Sequence, residues 1–196
     1  MDYVVYVLIT IFLIFGVYQF YFWTQRNHFR EPVSLETRWD KYFVLKPAWI
    51  WIYSVLYYPA IVLVVVTIRD MRHFNYTATS FFVLLFLQMF FFMFFPVKTP
   101  DAWRNIPGNG LSVRFIRLVQ HYDKSSNCFP SMHVSVATLT AMHMMHNAPA
   151  WGYWPILFPA LIAISALYTK QHFIVDLPAG AALGWGAFKI YEWVYV

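Results

Sequence analysis

The chain has 196 residues, 60% of them hydrophobic, 22% aromatic and 12% charged, and a formal net charge of +5. An ordinary soluble domain carries about 25% charged residues, so a water-facing globule is excluded and one membrane-embedded domain over residues 1–196 is expected. The single cysteine, Cys128, cannot close an internal disulfide, and cysteine usage is silent on compartment.

A spanning helix needs about 20 predominantly apolar residues. Tyr3–Trp23 supplies the first such run, free of charge. The N-terminal MDYVVYV lacks a basic region, so a spanning segment is expected here and not a cleaved leader. Pro47–Ile68 is the second run, with Pro59 inside it as a kink, and Thr79–Phe95 is the third. Ser131–Asn147 is less apolar but carries no charge apart from His133, His143 and His146, and it opens on a helix cap. Tyr153–Tyr168 and Phe173–Val196 complete the set, the last interrupted by Asp176, Lys189 and Glu192. The expected fold is therefore all-α, an integral membrane bundle of six transmembrane helices. Trp23, Trp49, Trp51, Trp151, Trp154 and Trp193 fall near the ends of these runs, as interfacial aromatics do.

Six spans place the first, third and fifth loops on one membrane face. The first loop holds Arg26, Arg30, Arg38, Lys41 and Lys46, the third holds Lys98, Arg104, Arg114, Arg117 and Lys124, and the fifth holds Lys170. The opposite loops hold only Arg69 and Arg72. Cationic loops favour the cytoplasmic side, and they also suit anionic lipid headgroups or an anionic ligand. Arg114 and Arg117 sit three apart on a short amphipathic segment suited to headgroups or to water. No basic-aromatic surface stands clear of the apolar runs, so nucleic acid is not an expected partner.

Two stretches on the cationic face carry chemistry. In CFPSMHVS, Ser131 is a helix N-cap after Pro130, and His133 follows two residues later. In YTKQHFIVDLPAG, His172 and Asp176 stand four apart, a spacing that puts them one turn apart on a helix face. A carboxylate at the edge of a membrane segment needs a partner. An Asp that holds the Nδ1 proton of an imidazole leaves Nε2 as a nucleophile or base. Cations beside a helix N-terminus favour phosphate, and a second imidazole suits protonation of a leaving group. His143 and His146 lie towards the other membrane face and are read as packing residues. The glycines of GAALGWG, Gly180, Gly184 and Gly186, are read as close helix contacts.

FPSMHVS resembles the Pro-Ser-x-His motif of the type 2 phosphatidic acid phosphatase and haloperoxidase superfamily, and QHFIVDLPAG resembles its His-x-x-x-Asp motif. The family's first motif has Lys, six residues, then Arg-Pro; KTPDAWRN has Lys98, five residues, then Arg104 and Asn105. Its third motif has Ser-Arg upstream of the His; here Ser165 is followed by Ala166, with Lys170 a substitute for the missing cation. YTKQH is similar to the branch that contains inositol phosphorylceramide synthases. The resemblance implies that His172 attacks a phosphoryl group, Asp176 orients it, and His133 protonates the departing group. It implies that Lys98, Arg104, Ser131 and Lys170 hold phosphate oxygens, with no metal or cofactor. The substrate is then a lipid phosphate or diphosphate reached among membrane lipids. Hydrolysis and transfer of the headgroup to another lipid both remain open. A Ser131–His172–Asp176 hydrolase triad would leave His133 and the cations idle and lacks the Gly-x-Ser-x-Gly elbow. A non-enzymatic scaffold or transporter would use the same polar residues for packing or ion passage.

Overall fold

The computed structural model describes residues 2–195. Met1, at the start of the MDYVVYV stretch, and Val196, at the end of the last expected span, lie outside them. Seven α-helices, joined by short 3-10 and π turns, make up the described residues: α1 (Asp2–Thr24), α2 (Tyr57–Leu63), α3 (Met71–Phe94), α4 (Leu111–Tyr122), α5 (Met132–Asn147), α6 (Leu157–Tyr168) and α7 (Asp176–Tyr195). Among the described residues there is no strand; two isolated bridges pair Val97 with Val33 and with Asn127.

The second apolar run is wound unevenly. From Pro47 it passes through a 3-10 turn, a π-helix at Trp51–Leu56, α2, and a closing 3-10 turn at Val64–Thr67. Pro59 has no N–H for the carbonyl of Val55, and its ring crowds that carbonyl. The loosened turn lies just upstream of it. The third helix starts at Met71 and not at the expected Thr79, because the Asp70 carboxylate caps it, accepting from the His73 N–H at 2.8 Å. The polar run from Met71 to Thr79 hides that start from a reading based on hydropathy.

Three helical segments are long and apolar enough to cross a membrane: Tyr3–Thr24, Pro47–Thr67 and Met71–Phe94. The six-span expectation is met to that extent. At about 1.5 Å per residue, α5 with 16 residues is shorter than a bilayer core of about 30 Å. The apolar segment Trp154–Tyr168 is shorter still, and α7 carries Asp176, Lys189 and Glu192. Phe12, Phe15, Phe86 and Phe90 remain exposed on α1 and α3, an outer face suited to lipid.

Helix α5 is the hub, packed against α7, α6, α2 and α3. Tyr57, Ile61, Val134, Ala137, Phe158 and Ile162 join α2, α5 and α6. Leu84, Leu139, Ala187, Phe188 and Tyr191 join α3, α5 and α7. Gln88 donates to the Ser135 hydroxyl at 2.7 Å, and His143 Nε2 lies 2.8 Å from the Ser80 hydroxyl. These interhelical hydrogen bonds tie α3 to α5 in the interior, each worth on the order of 0.6 kcal/mol.

The α5–α7 contact depends on two glycines. A Cβ on Gly180 would lie 2.5 Å from the Ser131 carbonyl oxygen, and one on Gly184 would meet the Ser135 carbonyl oxygen more closely still. Gly186, expected to serve the same contact, has nothing within 4 Å of such a position, because it turns away from α5. Gly184→Ala is therefore expected to destabilise the protein by about 1–3 kcal/mol, read as a lower melting temperature in detergent, whereas Gly186→Ala leaves it unchanged or raises it.

Candidate active site

The two chemistry-bearing stretches meet where α5 begins against the start of α7. Ser131 caps α5, its hydroxyl accepting from the Val134 N–H at 3.4 Å, and its own N–H donates to the Asp176 carbonyl at 3.1 Å. The end of one motif is thereby tied to the end of the other. His133 lies in the first turn of α5.

His172 does not lie on a helix with Asp176, contrary to the expectation from their spacing. α7 starts at Asp176, and His172 sits in the turn before it. A reciprocal pair closes that turn: the Phe173 N–H donates to Asp176 Oδ2 at 2.8 Å, and the Asp176 N–H donates to the Phe173 carbonyl at 3.1 Å. The contact between the two side chains forms all the same, with His172 Nδ1 3.2 Å from Asp176 Oδ2. His172 is 5% exposed and Asp176 fully buried.

A second partner fixes the tautomer. His172 Nδ1 lies 2.9 Å from the Cys128 carbonyl oxygen. A carbonyl has no proton to give, so Nδ1 carries the hydrogen and donates it, shared between Cys128 and Asp176. Nε2 of a neutral His172 is then left with its lone pair. The His133 and His172 rings stand edge to face with centroids 6.3 Å apart.

The four anion-binding candidates have protein partners. Ser131 is fully buried and serves as the cap. Lys98 Nζ is 2.7 Å from Asp101 Oδ1, and that contact holds the exposed Asp101 carboxyl below the usual range. Arg104 Nη2 donates to the carbonyls of Gln120 and Asp123, which fastens the loop after α4. Lys170 Nζ donates to the Asp40 carbonyl at 2.8 Å and sits 4.3 Å over the Trp103 ring. Burial pulls the Lys170 ammonium below the usual lysine range, opposed by Asp40 and Glu36. No contact joins these three cations to His133 or His172 among the described residues.

They nevertheless frame the site through the backbone. Lys98 follows Val97, whose carbonyl accepts from the Cys128 N–H at 3.0 Å. Trp103, beside Arg104, packs on Phe173 at 5.2 Å between ring centroids. Asp40 is buried and accepts from the Ile174 N–H at 2.8 Å and from the Thr37 N–H and hydroxyl at 2.7 Å each. The first loop thus clamps the turn that carries His172. Sequence reading missed Asp40, one acidic residue in a polar loop.

It also missed Tyr53. This tyrosine, 3% exposed on the π-helix, has its hydroxyl 2.9 Å from His133 Nδ1 and its ring stacked on the imidazole at 4.2 Å. Tyr57 packs on the same imidazole at 4.7 Å. Among 14 tyrosines nothing in composition marks Tyr53; the one local signal is Pro59 downstream. His143 and His146, at the other end of α5, pack on Phe188 and Tyr191. Among the described residues, no group of three or more His, Cys, Asp or Glu is placed to hold a metal ion.

Against known families, the model of the PAP2 superfamily matches residues 18–190. The chain belongs to the PAP2 superfamily. The match begins near the end of the first apolar run and takes in the second and third as well as both motifs, so the architecture around the site belongs to the resemblance too. No curated protein and no solved structure matches the chain. PAP2 membership points to an enzyme with phosphatase or phosphotransferase chemistry on a phosphorylated substrate, and three membrane-length apolar helices accord with a membrane protein.

Proposed function

We propose that this PAP2 protein is an integral membrane lipid phosphatase that works through a phosphohistidine on His172. The observation that carries this reading is the Cys128 carbonyl at His172 Nδ1. It leaves Nε2 as the free nucleophile in a buried site, with a second imidazole opposite.

In the first half-reaction, His172 Nε2 forms a bond to phosphorus as the bond to the lipid oxygen breaks. That oxygen takes a proton from His133, and Asp176 offsets the positive charge that develops on His172. In the second, water loses a proton to His133 and attacks phosphorus. Inorganic phosphate leaves, and His172 regains its lone pair. Ser131, Lys98, Arg104 and Lys170 are assigned to the phosphate oxygens in both steps; for Lys98 and Lys170 this requires exchanging a protein partner for the anion. Charge neutralisation of this kind is electrostatic stabilisation of the transferring group.

A lipid substrate is favoured by an apolar cavity lined by Val17, Tyr57, Ile61, Leu85, Met132 and Val136. Tyr57 also touches His133, so the cavity adjoins the reacting centre. Helices α5, α6 and α7 are assigned as the remaining three spans of a six-helix bundle. The test uses purified protein in lipid nanodiscs with phosphorus-labelled dioctanoyl phosphatidate. Label in free phosphate, with transient label on the protein lost in His172→Ala, is the expected result. Label recovered on a second lipid would replace hydrolysis by headgroup transfer.

A further inference from the structure

We propose that Tyr53 is the positioning residue for His133: its hydroxyl donates to Nδ1 and so keeps the transferable proton on Nε2. The proposal rests on the reading of His133 as the proton donor.

The geometry is direct. A neutral imidazole has one donor and one acceptor nitrogen, and the partner of one fixes the role of the other. The contact given to His133 Nδ1 is the Tyr53 hydroxyl at 2.9 Å. A phenol can donate or accept, but a proton donor to a leaving oxygen must hold its own proton on the nitrogen that faces the substrate. With the Tyr53 hydroxyl donating, Nδ1 is the acceptor and Nε2 carries hydrogen; as that hydrogen passes to the leaving oxygen the phenol proton moves to Nδ1, so His133 stays neutral, Tyr53 holds the negative charge, and the proton later taken from water returns by the same route. His172 is set the opposite way by a partner that can only accept. Two imidazoles 6.3 Å apart are therefore held in complementary tautomers, one with Nε2 bare and one with Nε2 protonated, which is what attack and departure at one phosphorus require.

Packing and backbone both hold this contact in place. Tyr53 is anchored among Ile50, Ile106, Val113, Ile116 and Ala166, so its ring has little freedom. It lies on a π-helix, and π turns inside helical segments recur at functional sites. The second apolar run, which carries none of the family motifs, thereby reaches the reacting centre.

Two measurements on the full-length protein test the proposal. The first is histidine nitrogen NMR on labelled protein, with the His133 signal identified by its loss in His133→Gln. The Nε2-protonated form is expected in the wild type, and a shift towards a tautomer mixture in Tyr53→Phe, which keeps the ring and its packing. A wild-type His133 protonated on Nδ1 overturns the proposal whether or not any substrate is turned over.

The second compares leaving groups. Tyr53→Phe should lower kcat/KM for dioctanoyl phosphatidate by roughly 10- to 100-fold, within the ~10²–10⁴ that a general acid supplies. Most of the loss should fall in kcat, with a much smaller loss for 4-nitrophenyl phosphate, whose leaving group needs no proton. Equal losses on both substrates, or none, count against Tyr53. If His133→Ala also fails to discriminate the two substrates, the role of His133 itself falls; if His133→Ala discriminates and Tyr53→Phe does not, only the positioning role is lost.

Discussion

His172→Ala is expected to remove phosphate release from the proposed lipid phosphate substrate, with a loss of at least about 10⁴-fold in kcat, the scale seen when an enzyme loses its nucleophile. The expectation follows from what the side chain alone supplies. The neighbouring polar side chains have other tasks: Asp176 Oδ2 accepts from Nδ1 of His172 and from the Phe173 N–H, and Ser131 is the cap of α5. The substitution empties an imidazole-sized volume but leaves the reciprocal Phe173–Asp176 turn intact. The variant should therefore fold and still bind phosphate. Release measured at a fixed lipid concentration, with melting as a control, checks this. Turnover within tenfold of wild type would remove His172 from the reaction.

Asp176→Asn is the second large effect, and it separates charge from geometry. An amide oxygen in the place of Oδ2 can still accept from His172 and from the Phe173 N–H, while the amide nitrogen replaces Oδ1, which has no hydrogen-bond partner among the described residues. The turn is preserved and the negative charge is lost. An aspartate-to-asparagine change behind a catalytic histidine costs about 10⁴ where it also admits the wrong tautomer. Here the Cys128 carbonyl keeps the proton on Nδ1, so a smaller loss, about 10²-fold in kcat, is expected. Asp176→Ala is different. It strands the buried Phe173 N–H, at a cost of about 1–3 kcal/mol in stability, so its melting temperature should fall where that of Asp176→Asn holds. Wild-type kcat in Asp176→Asn would show that the carboxylate charge plays no part in the chemistry.

The candidate site is legible in the sequence through residues whose chemistry is conspicuous in an apolar background. His133, His172 and Asp176 stand out there, and the structure brings their segments together where α5 begins against the start of α7. The four-residue spacing led to the correct pair by an incorrect route, since a reciprocal turn and not a helical face brings them together. Residues that act through backbone atoms left no such trace. The Asp40 clamp works on the Ile174 N–H, and only the folded path of the first loop carries it there. Tyr53 is hidden for the opposite reason: aromatic residues are so common in this chain that one more carries no information. The cations show what charge alone leaves out, because the protein partners of Lys98, Arg104 and Lys170 are set by the folded loops. Span boundaries failed at Met71 because a capping carboxylate extended the helix through polar residues.

The Cys128 carbonyl that holds His172, the proposed nucleophile, belongs to the main chain. Alanine scanning across 128 would therefore pass over one of the most consequential atoms in the site, since every amino acid brings the same oxygen. Only a change to the peptide group itself, such as an ester linkage between residues 128 and 129 that weakens the carbonyl as an acceptor, would expose its contribution.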